Sequence, residues 1–139
     1  MDMCNSEIVS FGISQRTSAE SIMKALNEAI TVTNDCPYRR TFHSDQGWAY
    51  QMKAYVNTLK ANKIFQSMSR KGNCHDNSVM ENFFGILKSE MYYRHKFNSP
   101  YELIIAIKEY IDYYNNKRIK EKLKGLSPVQ YRTKSIEVA

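Results

Sequence analysis

Arg40-Thr41-Phe42-His43-Ser44-Asp45-Gln46-Gly47, followed on to Met68, decides the fold class of this chain. Arg40 to Ser44 reads as a short strand that ends just before Asp45. Met52, Tyr55, Val56 and Leu59 then recur at helical spacing, and Ile64 to Met68 is a further strand candidate. Asp45 thus stands where a strand ends, and in α/β sheets ligands bind outside the carboxyl ends of strands. Gly47, two residues on, lets backbone or a ligand approach closely.

The same reading extends in both directions. Upstream, Glu7 to Ser14 (EIVSFGIS) is β-branched and aromatic enough for a strand, with Asn5-Ser6 as a turn before it. Thr17-Ser18-Ala19-Glu20 forms a capping box, and Ile22, Leu26, Ala29 and Ile30 predict a helix from about Ser18 to Val32. Downstream, Arg70 to Asp76 is a polar loop containing a glycine. A long helix is expected from about Asn77 to Tyr92, with Val79, Phe83, Ile86 and Leu87 on one side. Ser99-Pro100-Tyr101-Glu102 is a second capping box with Pro at the first helical position, opening a helix through Ile104, Ile107, Ile111 and Tyr114. Gly125 and Pro128 punctuate a basic tail with one short helix at most. Strands and helices alternate early and helices dominate late, so the class is α/β.

Composition narrows the functional classes. With 139 residues the chain is one domain of ordinary size, and 42% apolar against 24% charged residues is a globular balance. The longest aliphatic run, Leu103 to Ile107, is far short of the roughly 20 residues a spanning helix needs. The N-terminal residues have neither a basic region nor an apolar stretch, so no secretory signal is expected. Three widely spaced cysteines make no disulfide framework and suit a reducing cytoplasm. The expectation is a soluble intracellular protein without a membrane partner.

Net charge is +6, and the excess is concentrated. Between Lys108 and Lys134 there are eight bases against three acids. Clustered positive charge gains from releasing counterions off a phosphate backbone, so nucleic acid is the leading partner class. A solvated basic helix has the same composition.

Two carboxylates stand out by position, Asp45 at the strand end and Glu81 in the first turns of the long helix. Glu81, Phe84, Gly85 and Lys88 share a helix face, at spacings of three, four and seven. An anionic ligand, a small residue and a cation on one face suit a divalent metal beside a nucleic-acid phosphate. The structural alternatives are equally definite: Asp45 as a turn residue or cap, and Glu81 with Lys88 as a solvated face. Arg70, Lys71 and Asn73 sit on the loop before this helix, where they would either touch DNA or simply be solvated. Asp76 and Glu90 are extra acids nearby, with Asp76-Asn77 read as a helix cap. Cys36, His43, Cys74 and His75 lack zinc-site spacing. His43 reads as a packing or orienting residue, and Trp48 is expected to pack beneath the site.

Several spaced strings carry a resemblance. His43-Ser44-Asp45-Gln46-Gly47, Ser67-Met68-Ser69-Arg70-Lys71-Gly72-Asn73, Asp76-Asn77, Glu81-Asn82-Phe83-Phe84 and Leu87-Lys88-Ser89-Glu90 occur in this order. So do Tyr113-Tyr114-Asn115-Asn116-Lys117-Arg118, Leu123 and Leu126-Ser127-Pro128-Val129-Gln130-Tyr131-Arg132. Together they closely resemble the catalytic core of bacterial insertion-sequence transposases, in the retroviral-integrase (DDE) superfamily. The match runs from about Ser6 to Arg132.

That resemblance implies a ribonuclease H-like fold, with residues 1–98 as a partial catalytic core and 99–139 as a C-terminal helix and basic tail of the same domain. It implies Asp45 and Glu81 as ligands for Mg²⁺, with Mn²⁺ as a substitute, and in-line attack on DNA phosphodiesters. Lys88 matches the basic residue seven positions after the Glu and is expected at DNA near the transposon end; Lys117 and Arg118 are expected to grip DNA as well. The family's first catalytic Asp lies upstream of the stretch resembling Met1 to Ser14, and Asp2 matches a position not used for catalysis. The first strand and the first metal ligand are therefore expected to be missing from this chain. The implied partners are transposon-end and target DNA and a second or full-length transposase copy, in a bacterial cytoplasm at the nucleoid. The two functional readings are a segment for DNA cleavage and transfer, and an inactive fragment that only binds DNA or oligomerises.

Overall fold

The computed structural model describes residues 1–70 and 78–137. Its elements run α1 (Ala19–Val32), β1 (Thr41–Ser44), α2 (Lys53–Ala61), β2 (Phe65–Met68), α3 (Ser78–Glu90), α4 (Pro100–Asn116) and α5 (Pro128–Glu137). They fall into two compact units, Ser10–Ser78 and Met1–Val9 with Val79–Ala139. No helix among the described residues is long and apolar enough to cross a membrane.

In the first unit, β1 and β2 pair in parallel, Thr41 with Phe65 through Ser44 with Met68. A parallel pair needs a crossover, and α2 with the short 3₁₀ turn Trp48–Gln51 supplies it. Leu26 and Ile30 of α1 meet Tyr55 and Leu59 of α2 and Ile64 before β2, with Phe42 from β1 packed against them. Arg40 binds the helix ends into this core. Its guanidinium donates to Ile30 O at 3.0 Å, Thr33 Oγ1 at 3.2 Å and Asn62 O at 3.3 Å. Ile30 O and Asn62 O lie where α1 and α2 terminate, at carbonyls left without an intrahelical donor, and Thr33 is the residue that caps the end of α1.

In the other unit, Phe83, Leu87 and Met91 pack on Tyr110, Ile111 and Tyr114 of α4, with Ile8 joining from the N-terminal segment. The rings of Phe83 and Tyr114 meet edge to face at 4.9 Å. Ser99 caps α4, its Oγ accepting from Glu102 N at 3.2 Å, while Glu102 Oε2 accepts from Asn98 N at 2.8 Å. Glu7 pairs with Arg132 of α5 at 2.7 Å, and Asn5 Nδ2 donates to Pro128 O at 3.1 Å. Lys124 and Gly125, both with positive φ, turn the chain between Lys120 and Leu126, which meet in an antiparallel bridge.

Two local expectations are corrected. Glu7 to Ser14 is not a strand. At its start the ladder groups are already taken: Glu7 N donates to Asn5 Oδ1 at 3.1 Å, Glu7 O accepts from Asp2 N at 2.8 Å, and both backbone groups of Ile8 are bound by Asn115. The cap of α1 is Ser18, whose Oγ accepts from Ser21 N at 3.1 Å, so the helix starts one residue later than a box opened by Thr17 requires.

Candidate functional site

The parallel register sets His43 of β1 opposite Ser67 of β2. His43 Nδ1 lies 3.0 Å from Ser67 Oγ and Nε2 lies 3.1 Å from Ser69 Oγ. A neutral imidazole has one donor and one acceptor nitrogen, so one hydroxyl accepts a hydrogen bond from the ring and the other donates one to it. Ser69 N donates to Ser44 O at 2.9 Å, and Gln46 Nε2 donates to Ser69 O at 3.0 Å. The segments leaving both strands are thereby laced together on either side of Asp45. The orienting role read for His43 is what this geometry provides.

Asp45 is exposed at the end of β1. Its Oδ1 accepts the Gly47 N–H at 2.8 Å, so it does make a turn; its Oδ2 has no hydrogen bond among the described residues. Gly47 has φ −57° and ψ 146°, which any residue adopts. A Cβ there would lie 2.9 Å from Asp45 Oδ1, so a larger residue would push that carboxylate aside. Burial raises the pKa of the Tyr50 phenol, and the negative charge of Asp45 raises it further, so Tyr50 stays protonated beside the carboxylate. Trp48 does not pack beneath this site; it is 59% exposed. In the tight 3₁₀ turn Ala49 takes the buried position instead, and Trp48 faces solvent.

On α3, Phe83 and Leu87 turn inward, while Glu81, Phe84, Gly85 and Lys88 form one exposed face. A Cβ on Gly85 would meet nothing within 4 Å. Glu81 and Lys88 make no hydrogen bond or ion pair among the described residues. Asp45 belongs to one unit and Glu81 to the other. Among the described residues no group of three or more His, Cys, Asp or Glu assembles. Each residue by itself offers carboxylate oxygen on a solvent-facing side chain, the donor type a hard divalent cation takes, with no ion pair to a base among the described residues.

Of the predicted DNA contacts, Arg70 and Lys117 are exposed. Lys71 and Asn73 lie outside the described residues, as do Cys74, His75, Asp76 and Asn77. Arg118 is committed to a neighbour, with Nη2 2.6 Å from Glu90 Oε1 and Nε 2.9 Å from Oε2. Tyr110 donates to the same Glu90 at 2.8 Å. The arginine hydrogen bonds hold the Glu90 carboxyl below its ordinary pKa, against the opposing effect of burial. Sequence reading noticed Glu90 as a nearby acid but not its partner, because 28 residues separate the two. It also missed Ser67 and Ser69 as supports for His43, a pairing legible only once the register of the two strands is known.

Two integrase core domain models match this chain, one over residues 1–74 and the other over residues 81–136. The chain belongs to the integrase-core family of insertion-sequence transposases. The mixed α/β fold with its parallel strand pair agrees with the ribonuclease H-like class of integrase cores. This integrase core is 47% identical over 136 residues to InsK of insertion sequence element IS150 from Escherichia coli K12, covering 97% of this chain and 47% of the relative. It is 48% identical over 135 residues to an uncharacterized transposase-like protein of Haemophilus influenzae, covering 97% and 62%. An uncharacterized 31 kDa protein of insertion element IS600 from Shigella sonnei is 37% identical over 139 residues, covering 99% and 51%. The integrase core thus spans about half the length of the curated relatives it matches.

Proposed function

We propose that this chain is the segment of a transposase catalytic core that contributes Asp45 and Glu81 to metal-dependent cleavage and transfer of DNA strands. The observation that carries the reading is Asp45 itself: a solvent-facing carboxylate at a strand end, one oxygen turned into the chain and the other without a hydrogen bond among the described residues, within the integrase-core match over residues 1–74. Integrase cores depend on a divalent metal, and Mg²⁺ is the species proposed, since hard oxygen donors suit it and Mn²⁺ substitutes for it. When bound, such an ion neutralises charge on the phosphodiester and lowers the pKa of an attacking water or 3′-hydroxyl.

The chain's own residues do the rest. Asp45 and Glu81 hold negative charge at fixed positions, Asp45 through the Gly47 N–H and Glu81 through the packed helix beneath it. His43 keeps the two strand ends in register. Lys88, Arg70 and Lys117, with Lys71 and Asn73, are proposed to contact phosphates, which position DNA without reading its sequence. Arg118 joins them only while sharing its charge with Glu90. Residues 1–98 are proposed as core and 99–139 as the helix and basic tail that extend the DNA surface. The partners are proposed to be transposon-end and target DNA together with another transposase copy, in the bacterial cytoplasm at the nucleoid.

The test is thermal unfolding of the full chain with and without Mg²⁺ or Mn²⁺. A ligand that binds the native state stabilises it in proportion to the logarithm of its concentration. The expected outcome is a rise in Tm with metal that Asp45→Asn and Glu81→Gln each diminish. Equal stabilisation of all three proteins would remove both residues from the ligand set.

A further inference from the structure

Between α3 and α4 the chain reads Tyr92-Tyr93-Arg94-His95-Lys96-Phe97, three aromatics interleaved with bases and no acid. A stretch so aromatic ordinarily turns inward, yet Tyr93 is 73% and Tyr92 45% exposed. They are ordered rather than scattered: Tyr92 stacks on Phe97 at 6.1 Å with planes 20° apart, and Tyr93 meets Tyr92 edge to face at 5.5 Å. Beside them opens a groove of about 720 Å³ lined by Arg94, His95, Phe97 and Tyr113, with Glu109 and the paired Glu90 and Arg118. Its size falls in the range of about 300–1,000 Å³ typical of ligand sites.

We propose that Tyr92, Tyr93 and this groove hold an unpaired nucleotide of DNA. The inference rests on the DNA-handling reading above and adds the strand state and place of contact. Every base has a π-face, so exposed tyrosines are a sequence-tolerant platform for bases released from the duplex. Arg94 and Lys96 supply the cations that a phosphate following the stacked base needs. Arg94 Nε already donates to Ser89 O at 3.1 Å, which leaves its terminal nitrogens for that contact. Glu90 does not repel the phosphate, because Arg118 neutralises it. Glu109 suits a base edge, where an exocyclic amino group would donate to it. Charge favours a polyanion over an apolar protein partner: Arg94 and Lys96 stand in a six-residue stretch without an acid, and of the two acids lining the groove Glu90 is paired with Arg118.

The experiment is fluorescence anisotropy of the full chain with a labelled single strand and the duplex of the same sequence, across a salt series. For Tyr93→Ala, single-strand affinity should fall about tenfold, equivalent to about 1.4 kcal/mol, with the salt dependence and duplex affinity unchanged. Tyr93→Phe should retain affinity, since stacking does not need the hydroxyl. Lys96→Ala should weaken binding and reduce the single-strand salt slope by about 0.7. Unchanged single-strand affinity in Tyr93→Ala, or an equal loss on the duplex, would overturn the site. So would self-association abolished by Tyr93→Ala with DNA binding intact, which would assign the aromatics to a second copy. Failure of the unsubstituted chain to bind either DNA would instead remove the DNA-handling reading on which the site rests.

Discussion

Arg118 grips Glu90 through two nitrogens, Nε at 2.9 Å and Nη2 at 2.6 Å, joining the end of α3 to the segment just after α4. A two-pronged guanidinium–carboxylate pair is stronger and more directional than a lysine contact. Tyr110 adds a neutral donor to the same carboxylate, so burial and this bond both raise the phenol's pKa.

This pair makes stability depend on acid pH. The Glu90 pKa is lowered on folding, chiefly by Arg118, so its contribution is fully present above the ordinary value of 4.5 and is lost as pH falls through the folded value. Urea unfolding measured at successive pH values below about 5 should show stability declining with acid. Glu90→Gln should flatten part of that decline and cost about 1 kcal/mol at neutral pH, the pair being partly solvated. An unaltered pH profile would show that the carboxylate is not differentially bound in the native state.

Asn115 substitutes for a strand. Its Oδ1 accepts the Ile8 N–H at 2.9 Å and its Nδ2 donates to Ile8 O at 3.0 Å. Asn115→Ala would leave two partly buried backbone groups unmatched and should cost about 2 kcal/mol in urea unfolding. Asn115→Asp keeps the acceptor and loses the donor, so an intermediate loss is expected. A cost within about 0.5 kcal/mol for both would mean that water replaces the side chain without penalty.

Gly47 gives a test of site geometry separate from fold. Its backbone angles tolerate alanine, while the added Cβ would crowd Asp45 Oδ1. Gly47→Ala should therefore unfold within about 0.5 kcal/mol of the unsubstituted chain while its metal-induced rise in Tm shrinks. Retention of the full metal response would show that Asp45 does not bind metal in the conformation held by the Gly47 N–H.

Sequence alone was sufficient wherever the deciding interaction is local. Ser99 and Pro100 start α4 because a cap needs only its own first turn, and the face of Phe83 and Leu87 follows from helical spacing. The exposed set of Glu81, Phe84, Gly85 and Lys88 was legible for the same reason. The strand ending at Ser44 could be read because the pattern changes abruptly at Asp45.

Tertiary structure decided what depends on distant partners. Glu7 to Ser14 has strand composition, but a strand exists only with a ladder, and at Ile8 both backbone groups go to Asn115, 107 residues away. Trp48 has the size of a core residue, yet the 3₁₀ turn gives the interior to Ala49. Arg118 carries the charge of a DNA contact, and Glu90 claims it first. Spacing and composition therefore determined the elements, the class and the candidate carboxylates of this integrase core. The pairing of each polar group was left to the folded chain, because hydrogen bonds are satisfied by position in space and not by position in sequence.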